Sequence, residues 1–395
     1  MSVISGPALG EDFFDREEEV TAILASLRKD NILLVAPRRY GKTSVMRAVE
    51  RKLTENGYLC LYLDVMYVNS PKDFVFWLAI AAFDARKERE TFLDHLKSSF
   101  IHVGKQLQEV EVSTSGFKAK FTEGVKEEIN DDNWSSKGYE VFNAIKQLSE
   151  QDCICIIIDE LSECVNNMAK RDEEQARAFL QWLRSVRQTM FEDLKFIYGG
   201  SVSFTGIVRD FGSLSWINDL KPVDISGFSE EVALQFIRKA FDDFEWEYTE
   251  EMGLKILECI GEPYIPYFIS IFLSTIFEDE RWLREKDVEE LYDSKLLGAH
   301  GRGYFDHYKQ RLRIYYEGQL AKAAEEILKE ACLVDQGYPK ALAFDLFRRA
   351  TGIEDYEKFV SLLHDLENDF YITFDGEHIR FQSKVLRDWW RLYNV

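Results

Sequence analysis

Gly41, Lys42, Thr43 and Ser44 close the stretch LLVAPRRYGKTS (33–44), and Asp159 and Glu160 close the apolar stretch CICIIIDE (153–160). These residue types, in these contexts, suit phosphoryl chemistry. In the motif GxxxxGK[ST], main-chain N–H groups around the glycine–lysine pair and the following helix start point at phosphates. The lysine bridges the outer phosphates and the hydroxyl ligates magnesium. An aspartate ending an apolar strand helps hold the metal, and a glutamate beside it polarises the water that attacks a γ-phosphoryl group in line. The expected N–H donors run from Arg39 through Tyr40, Gly41, Lys42 and Thr43 to Ser44, with Thr43 and Asp159 on the metal and Glu160 as the base. Two carboxylates also serve glycosidases, but adjacent strand residues point to opposite faces, so Asp159 and Glu160 are assigned different tasks.

The motif's first glycine is replaced by Ala36. A small side chain serves there if the backbone needs no positive φ. Pro37 donates no N–H, and the expected donors all lie after it.

These residues need a rigid frame. Short β-rich runs, NILLVA (31–36), YLCLYLDV (58–65), CICIIIDE (153–160), LKFIYGG (194–200) and PVDIS (222–226), recur between helical stretches. The middle three are nearly continuously apolar, as strands covered on both faces must be, and predict a parallel α/β sheet. VEVSTSGFKAKF (110–121) alternates around Ser115-Gly116 and predicts an inserted hairpin over about 108–123. From 227 the pattern is helical, with Ser229 capping EEVALQFIRKAF. Helices near 320–332, 341–350 and 355–367 precede FYITFDGEHIRFQS (370–383), two alternating strands joined at Asp375-Gly376, a pattern similar to a winged helix.

Composition narrows the partners. The 46% hydrophobic and 14% aromatic content of 395 residues can fill two or three cores. The longest apolar run, Phe74 to Phe83, is about half the roughly 20 residues that span a bilayer, and the N-terminal stretch lacks a signal pattern. The expectation is a soluble, cytoplasmic protein without membrane association. Six cysteines form no CxxC pair and read as small core residues. The formal charge of −21 argues against a general attraction to nucleic acid or anionic lipid, and residues 227–300 alone hold 18 acids against seven bases.

FFDREEEV (13–20), APRRYGKTS (36–44), IIIDE (156–160), GGSVS (199–203), GEPYIPYF (261–268) and RFQSKVLRDWW (380–390) together resemble the archaeal-type ATPases, a branch of the AAA+ and STAND P-loop NTPases. The match spans nearly the whole chain, with 85–140 the least similar part. It implies a P-loop ATPase domain over 1–226, an all-α lid over 227–317 and a winged-helix domain over 318–395, with ATP and Mg2+ as cofactors. By the same resemblance Phe13 and Arg16 line the adenine pocket, although Asp15 stands where glycine is more usual. Ser201, with Ser203 as the alternative, matches the sensor near the γ-phosphate, and catalysis falls to Lys42, Glu160 and Ser201. Pro266 matches the proline by which the lid touches nucleotide, or simply starts a helix. Pro37, Arg38 and Arg39 match a PRR signature, the arginines contacting phosphate or a neighbouring subunit, or forming structural ion pairs. Arg209 is the one arginine from 201 to 237 and so the one candidate there for an arginine acting in trans.

The implied function is a nucleotide switch that couples ATP or ADP to lid and winged-helix rearrangement, and to a protein partner or a second copy, in signalling or defence. The rivals are a DNA-binding ATPase and a scaffold without turnover, the latter opposed by Glu160. EDYEKFVSLLHDLEND (354–369), the helix before the terminal hairpin, carries six acids and one lysine, which a phosphate backbone repels. KVLRDWWRLYNV (384–395) mixes basic and aromatic residues, a pattern that either binds single strands or docks its aromatics on the domain.

Overall fold

The computed structural model describes residues 13–37, 39–85, 89–97, 100–107, 117–148, 154–200, 203–212, 214–279, 285–316 and 318–395. Packing divides the described chain into two compact units. One comprises Arg16–Val35 and Lys42–Asp224; the other comprises the residues up to Asp15, Ala36–Gly41 and Ile225–Val395.

The first unit runs α1 (Glu17–Leu27), β1 (Asn31–Val35), α2 (Lys42–Glu55), β2 (Leu59–Asp64), α3 (Pro71–Asp84), α4 (Arg89–Lys97), α5 (Ile101–Leu107), α6 (Phe117–Glu128), α7 (Trp134–Lys146), β3 (Ile154–Asp159), α8 (Leu161–Arg171), α9 (Glu173–Thr189), β4 (Leu194–Gly200), α10 (Ser203–Asp210) and β5 (Leu220–Asp224). Its five strands are all parallel, in the order β2-β3-β4-β1-β5. Parallel strands share one carboxyl edge, where α/β sheets place their chemistry. All six residues of β3 are buried, as its apolar run requires of a strand covered on both faces. The Asn31 side chain accepts from the Phe196 N–H at 3.0 Å, tying β1 to β4 beyond their ladder. Register opposes Asp64 to Asp159, so the ends of β2 and β3 are level.

Each strand expected in the parallel sheet is present, β5 lying two residues earlier than PVDIS suggested. The expected hairpin differs: 108–116 lie outside the described residues, and 117–128 form the helix α6. Alternation at Phe117, Ala119 and Phe121 resembled a strand, but the buried residues are Phe121, Val125 and Ile129, at helical spacing, with Phe121 stacked on Phe83 at 4.3 Å.

The second unit contains α11 (Glu230–Asp243), α12 (Glu250–Ile260), α13 (Pro266–Phe277), α14 (Glu285–Leu291), α15 (Asp306–Tyr315), α16 (Gln319–Ala331), β6 (Tyr338–Pro339), α17 (Lys340–Thr351), α18 (Tyr356–Asn368), β7 (Ile372–Phe374), β8 (His378–Phe381) and α19 (Lys384–Asn394). Ser229 caps α11 as expected, accepting from the Val232 N–H at 3.3 Å. From α16 onward, the helices α16, α17 and α18 and an antiparallel sheet in the order β6-β8-β7 make the winged helix. The Asp375 carboxylate accepts from the N–H groups of Glu377 and His378 at 2.8 and 2.7 Å, the local bonding that makes this residue a turn former.

The boundary expected at 317/318 is not a break in packing, because α19 fastens both sides of it. Trp389 and Trp390 are each 1% exposed. Trp389 packs on Phe305 and Trp390 on Tyr371 and Phe381. Tyr393 Oη donates to the Leu297 carbonyl at 2.8 Å, Lys384 Nζ to the Cys259 carbonyl at 2.9 Å, and Tyr292 Oη to Asp388 at 2.9 Å. Arg387 and Arg391 pair with Asp335 at 3.2 and 2.7 Å. The basic–aromatic terminus is therefore a docked helix, with its aromatic rings inside and its charges paired.

Among the described residues no helix is long and apolar enough to cross a membrane. The described cysteines, Cys60, Cys155, Cys164, Cys259 and Cys332, are free. Trp389→Ala should cost about 3–5 kcal/mol of stability, read as a lower urea midpoint; a loss below about 0.5 kcal/mol, the scale of surface substitutions, would show α19 to be peripheral.

Candidate functional site

The loop between β1 and α2 carries the residues of the phosphate motif. Ala36 is 2% exposed and is not among the residues with positive φ, so alanine fits without strain where the motif has its first glycine. Positive φ falls instead at Arg39 (75°) and Gly41 (87°), with Tyr40 between them outside that region. Alternation of this kind is the backbone pattern that turns successive N–H groups toward one side in anion-binding loops. Pro37 is half-buried and lies before the alternation. Arg38 lies outside the described residues.

Within the second unit, the Arg39 guanidinium lies over the Tyr267 ring, 4.2 Å from its centroid, and the buried Tyr40 ring meets Phe370 edge-on at 5.1 Å. Pro266 is the first residue of α13, where its missing N–H is no loss, and it sets Tyr267 one position further on. Phe13 is half-buried, while the neighbouring Phe14 packs on Phe228 and Phe236. Asp15 has φ of 42°, a conformation that explains why glycine suits the position.

Within the first unit a cluster forms around Asp159, which is 2% exposed at the end of β3. Oδ2 accepts from Thr43 Oγ1 and from Tyr62 Oη, each at 2.7 Å. Oδ1 accepts from the Glu160 N–H at 2.9 Å and lies 3.4 Å from Lys42 Nζ. Lys42, only 8% exposed, also lies 3.3 Å from Glu160 Oε1. Burial pushes the Asp159 carboxyl up, but the Lys42 charge and the bonds from Thr43, Tyr62 and the Glu160 N–H outweigh it and hold it below its ordinary value. Burial and the nearby Asp159 charge push the Tyr62 phenol up, so it remains a donor.

Glu160 itself has φ of 60°, left-handed, immediately before α8, where its carbonyl accepts the helix's first bonds from Glu163 and Cys164. A non-glycine residue held so costs about 1 kcal/mol or more, a strain that gathers at functional positions. Ser44 is buried on α2. Ser201 lies outside the described residues, and Ser203 begins α10. Arg16 is buried just before α1 and pairs with Glu19 of its first turn at 2.6 Å. Arg209 is exposed in the last turn of α10.

Three residues of the cluster escaped the sequence reading. Tyr62 occupies the same face of β2 as Asp64, in an alternation (Leu59, Cys60, Leu61, Tyr62, Leu63, Asp64) that could have revealed it. Arg47, one turn after Thr43, stacks on the Tyr62 ring at 3.3 Å and pairs with Glu50 at 2.8 Å. Gly199 on β4 leaves its neighbours undisturbed: a Cβ there would stand 2.8 Å from Asp159 Oδ1 and 2.6 Å from Met46 Sδ, so one of these side chains would have to shift.

The fold is that of the P-loop AAA+ ATPases: a five-stranded parallel sheet with the loop after β1 and the acids after β3, followed by helices and a winged helix. A Walker-type ATPase of Pyrococcus abyssi, PABY2304, aligns over 99% of this chain and 100% of its own, with 16% identity and a TM-score of 0.67. The ORC2 protein of Aeropyrum pernix, solved as ADPNP–ADP complexes, aligns over 94% of this chain and 92% of its own, with 10% identity and a TM-score of 0.53. No protein-family model and no curated protein matches the sequence. At these identities the likeness establishes the architecture, that of the archaeal ATPases the sequence resembles.

Because the Asp159 pKa is lowered in the folded state, its contribution to stability is complete above the unfolded value of about 3.9 and is lost as pH falls through the folded value. The stability difference between wild type and Asp159→Asn should therefore shrink from pH 6 to pH 3 in thermal melts. A constant difference would contradict the charge pairing.

Proposed function

We propose that the protein binds and hydrolyses ATP with Mg2+ and uses the nucleotide as a switch. The observation that carries the reading is the joint engagement of Lys42 and Thr43, at the start of α2, with Asp159 and Glu160, at the end of β3. Two distant motifs with complementary tasks meet in one cluster on a fold shared with a Walker-type ATPase.

The donor set fits magnesium. Thr43 and Asp159 offer hard oxygen ligands, and no group of three or more His, Cys, Asp or Glu among the described residues could hold an ion alone. Magnesium is commonly held in that way, by one or two protein oxygens together with substrate phosphates. Bound there, it would neutralise charge on the phosphates.

The chain's own residues supply the rest. Amides from Arg39 to Ser44 receive the phosphates, and Lys42 exchanges its two carboxylates for phosphate oxygens. Glu160, released from Lys42, takes a proton from the attacking water. An O–P bond then forms at the γ-phosphorus as the bond to the β–γ bridging oxygen breaks. In this reading Ser201 senses the γ-phosphate, Phe13 and Arg16 face the adenine, and Pro37, Arg38 and Pro266 complete the contacts.

The switch reading draws on the second unit. Arg39 and Tyr40 of the loop rest on Tyr267 of α13 and on Phe370 beside the winged-helix sheet, and α19 joins helical and winged-helix parts. A loop that rearranges around phosphate would disturb both contacts. ATP shifts such an equilibrium only by its differential affinity for the two states. A protein partner or a second copy would read the change, in signalling or defence as the resemblance implies. Nucleic acid is a poor partner for α19, because its basic groups already face acids or carbonyls.

Lys42→Ala should abolish tight ATP binding in calorimetry. Glu160→Gln should keep ATP and lose hydrolysis by about 100-fold or more, and normal turnover in that variant would rule Glu160 out as the base. Light scattering of Glu160→Gln with ATP, with ADP and without nucleotide should show a change of mass if self-association is the output.

A further inference from the structure

Each carboxylate oxygen has two lone-pair sites. Both sites on Asp159 Oδ2 are taken by hydroxyl donors at 2.7 Å, Thr43 from α2 and Tyr62 from β2. On Oδ1 the Glu160 N–H holds one site at 2.9 Å, and the other faces Lys42 Nζ at 3.4 Å, longer than a strong charge-assisted bond. Lys42 is also the member of this set that phosphate would draw away. Tyr62 is itself fixed, its ring beneath the Arg47 guanidinium at 3.3 Å and Arg47 anchored on Glu50. Gly199 on β4 spares Oδ1 a clash, since a Cβ there would stand 2.8 Å from it.

We propose that Tyr62 is a positioning residue for Asp159. By occupying Oδ2 it stops the carboxylate from turning and leaves Oδ1 as the oxygen that would serve a divalent cation, while Arg47 holds the phenol in place. This rests on the reading that Thr43 and Asp159 serve a magnesium–nucleotide complex, and it assigns a metal-tuning task to a strand that carries no part of either motif. Partners that orient a metal's ligands, without touching the metal, control its affinity by about 10–100-fold.

The test uses the full chain and a fluorescent N-methylanthraniloyl ADP, titrated in EDTA and then with MgCl2. Tyr62→Phe should bind the nucleotide as wild type does in EDTA, yet need about tenfold more Mg2+ for half-maximal strengthening. Binding of Mn2+ to the ADP complex, followed by electron paramagnetic resonance, should weaken by the same factor. Arg47→Gln, which keeps the hydroxyl but frees the ring, should shift the Mg2+ requirement about threefold, and it decides the matter if Tyr62→Phe does not fold.

An unchanged Mg2+ requirement overturns the proposal, as does an equal loss of nucleotide affinity with and without metal, which would mark Tyr62 as merely structural. Wild type that ignores the nucleotide in both buffers overturns the functional reading itself and this proposal with it. Wild-type binding with no metal shift in the variants overturns this proposal alone.

Discussion

A carboxylate almost wholly removed from water is tenable only when donors replace the water it has lost. Asp159 meets that requirement with Thr43, Tyr62, the Glu160 N–H and Lys42. Those four donors belong to α2, to β2 and to the turn into α8, so one charge fastens together the start of the helix after the loop, two neighbouring strands and the residue expected to act as base. The same constraint explains local oddities. Glu160 adopts a left-handed backbone whose N–H reaches Oδ1, and Gly199 lacks a side chain because one would strike that oxygen. The hydrogen-bonding need of Asp159 thus shapes much of its surroundings.

Lys42 shows how the arrangement is poised. Its ammonium is shared between two carboxylates at 3.3 and 3.4 Å, close enough to hold them but without the short contact of a tight ion pair. On the proposed reading, this is the cation that phosphate would draw away from its two carboxylates. The second unit depends on a different physical principle. Its α19 buries two tryptophans and uses each basic side chain to satisfy a carbonyl or an acid, which makes the helical and winged-helix parts one packed body.

Much of the frame was legible because its signals are local. Continuous apolar runs gave β3 and β4, and alternation around Asp375-Gly376 gave β7 and β8. Ser229 announced α11. Where a pattern was short and ambiguous, local reading failed: Phe117, Ala119 and Phe121 alternate like a strand, yet Phe121, Val125 and Ile129 are the residues that pack, in and just after a helix. Edge strand β5, with mixed exposure and no apolar run, was displaced by two residues for a similar reason.

The sequence by itself determined where to look, since the glycine–lysine–threonine loop and the acids ending a buried strand are contiguous motifs, and the structure brings Lys42, Thr43, Asp159 and Glu160 together. That alanine can stand at the loop's entrance was conditional in the sequence and followed from the backbone, which has no positive φ at Ala36. Only the tertiary structure decided which oxygen of Asp159 meets which hydroxyl, that Tyr62 and Arg47 belong to the cluster, and that Trp389 and Trp390 point inward. Tyr62 and Asp159 are 97 residues apart in the chain, and strand register, not any local pattern, brings them within 2.7 Å.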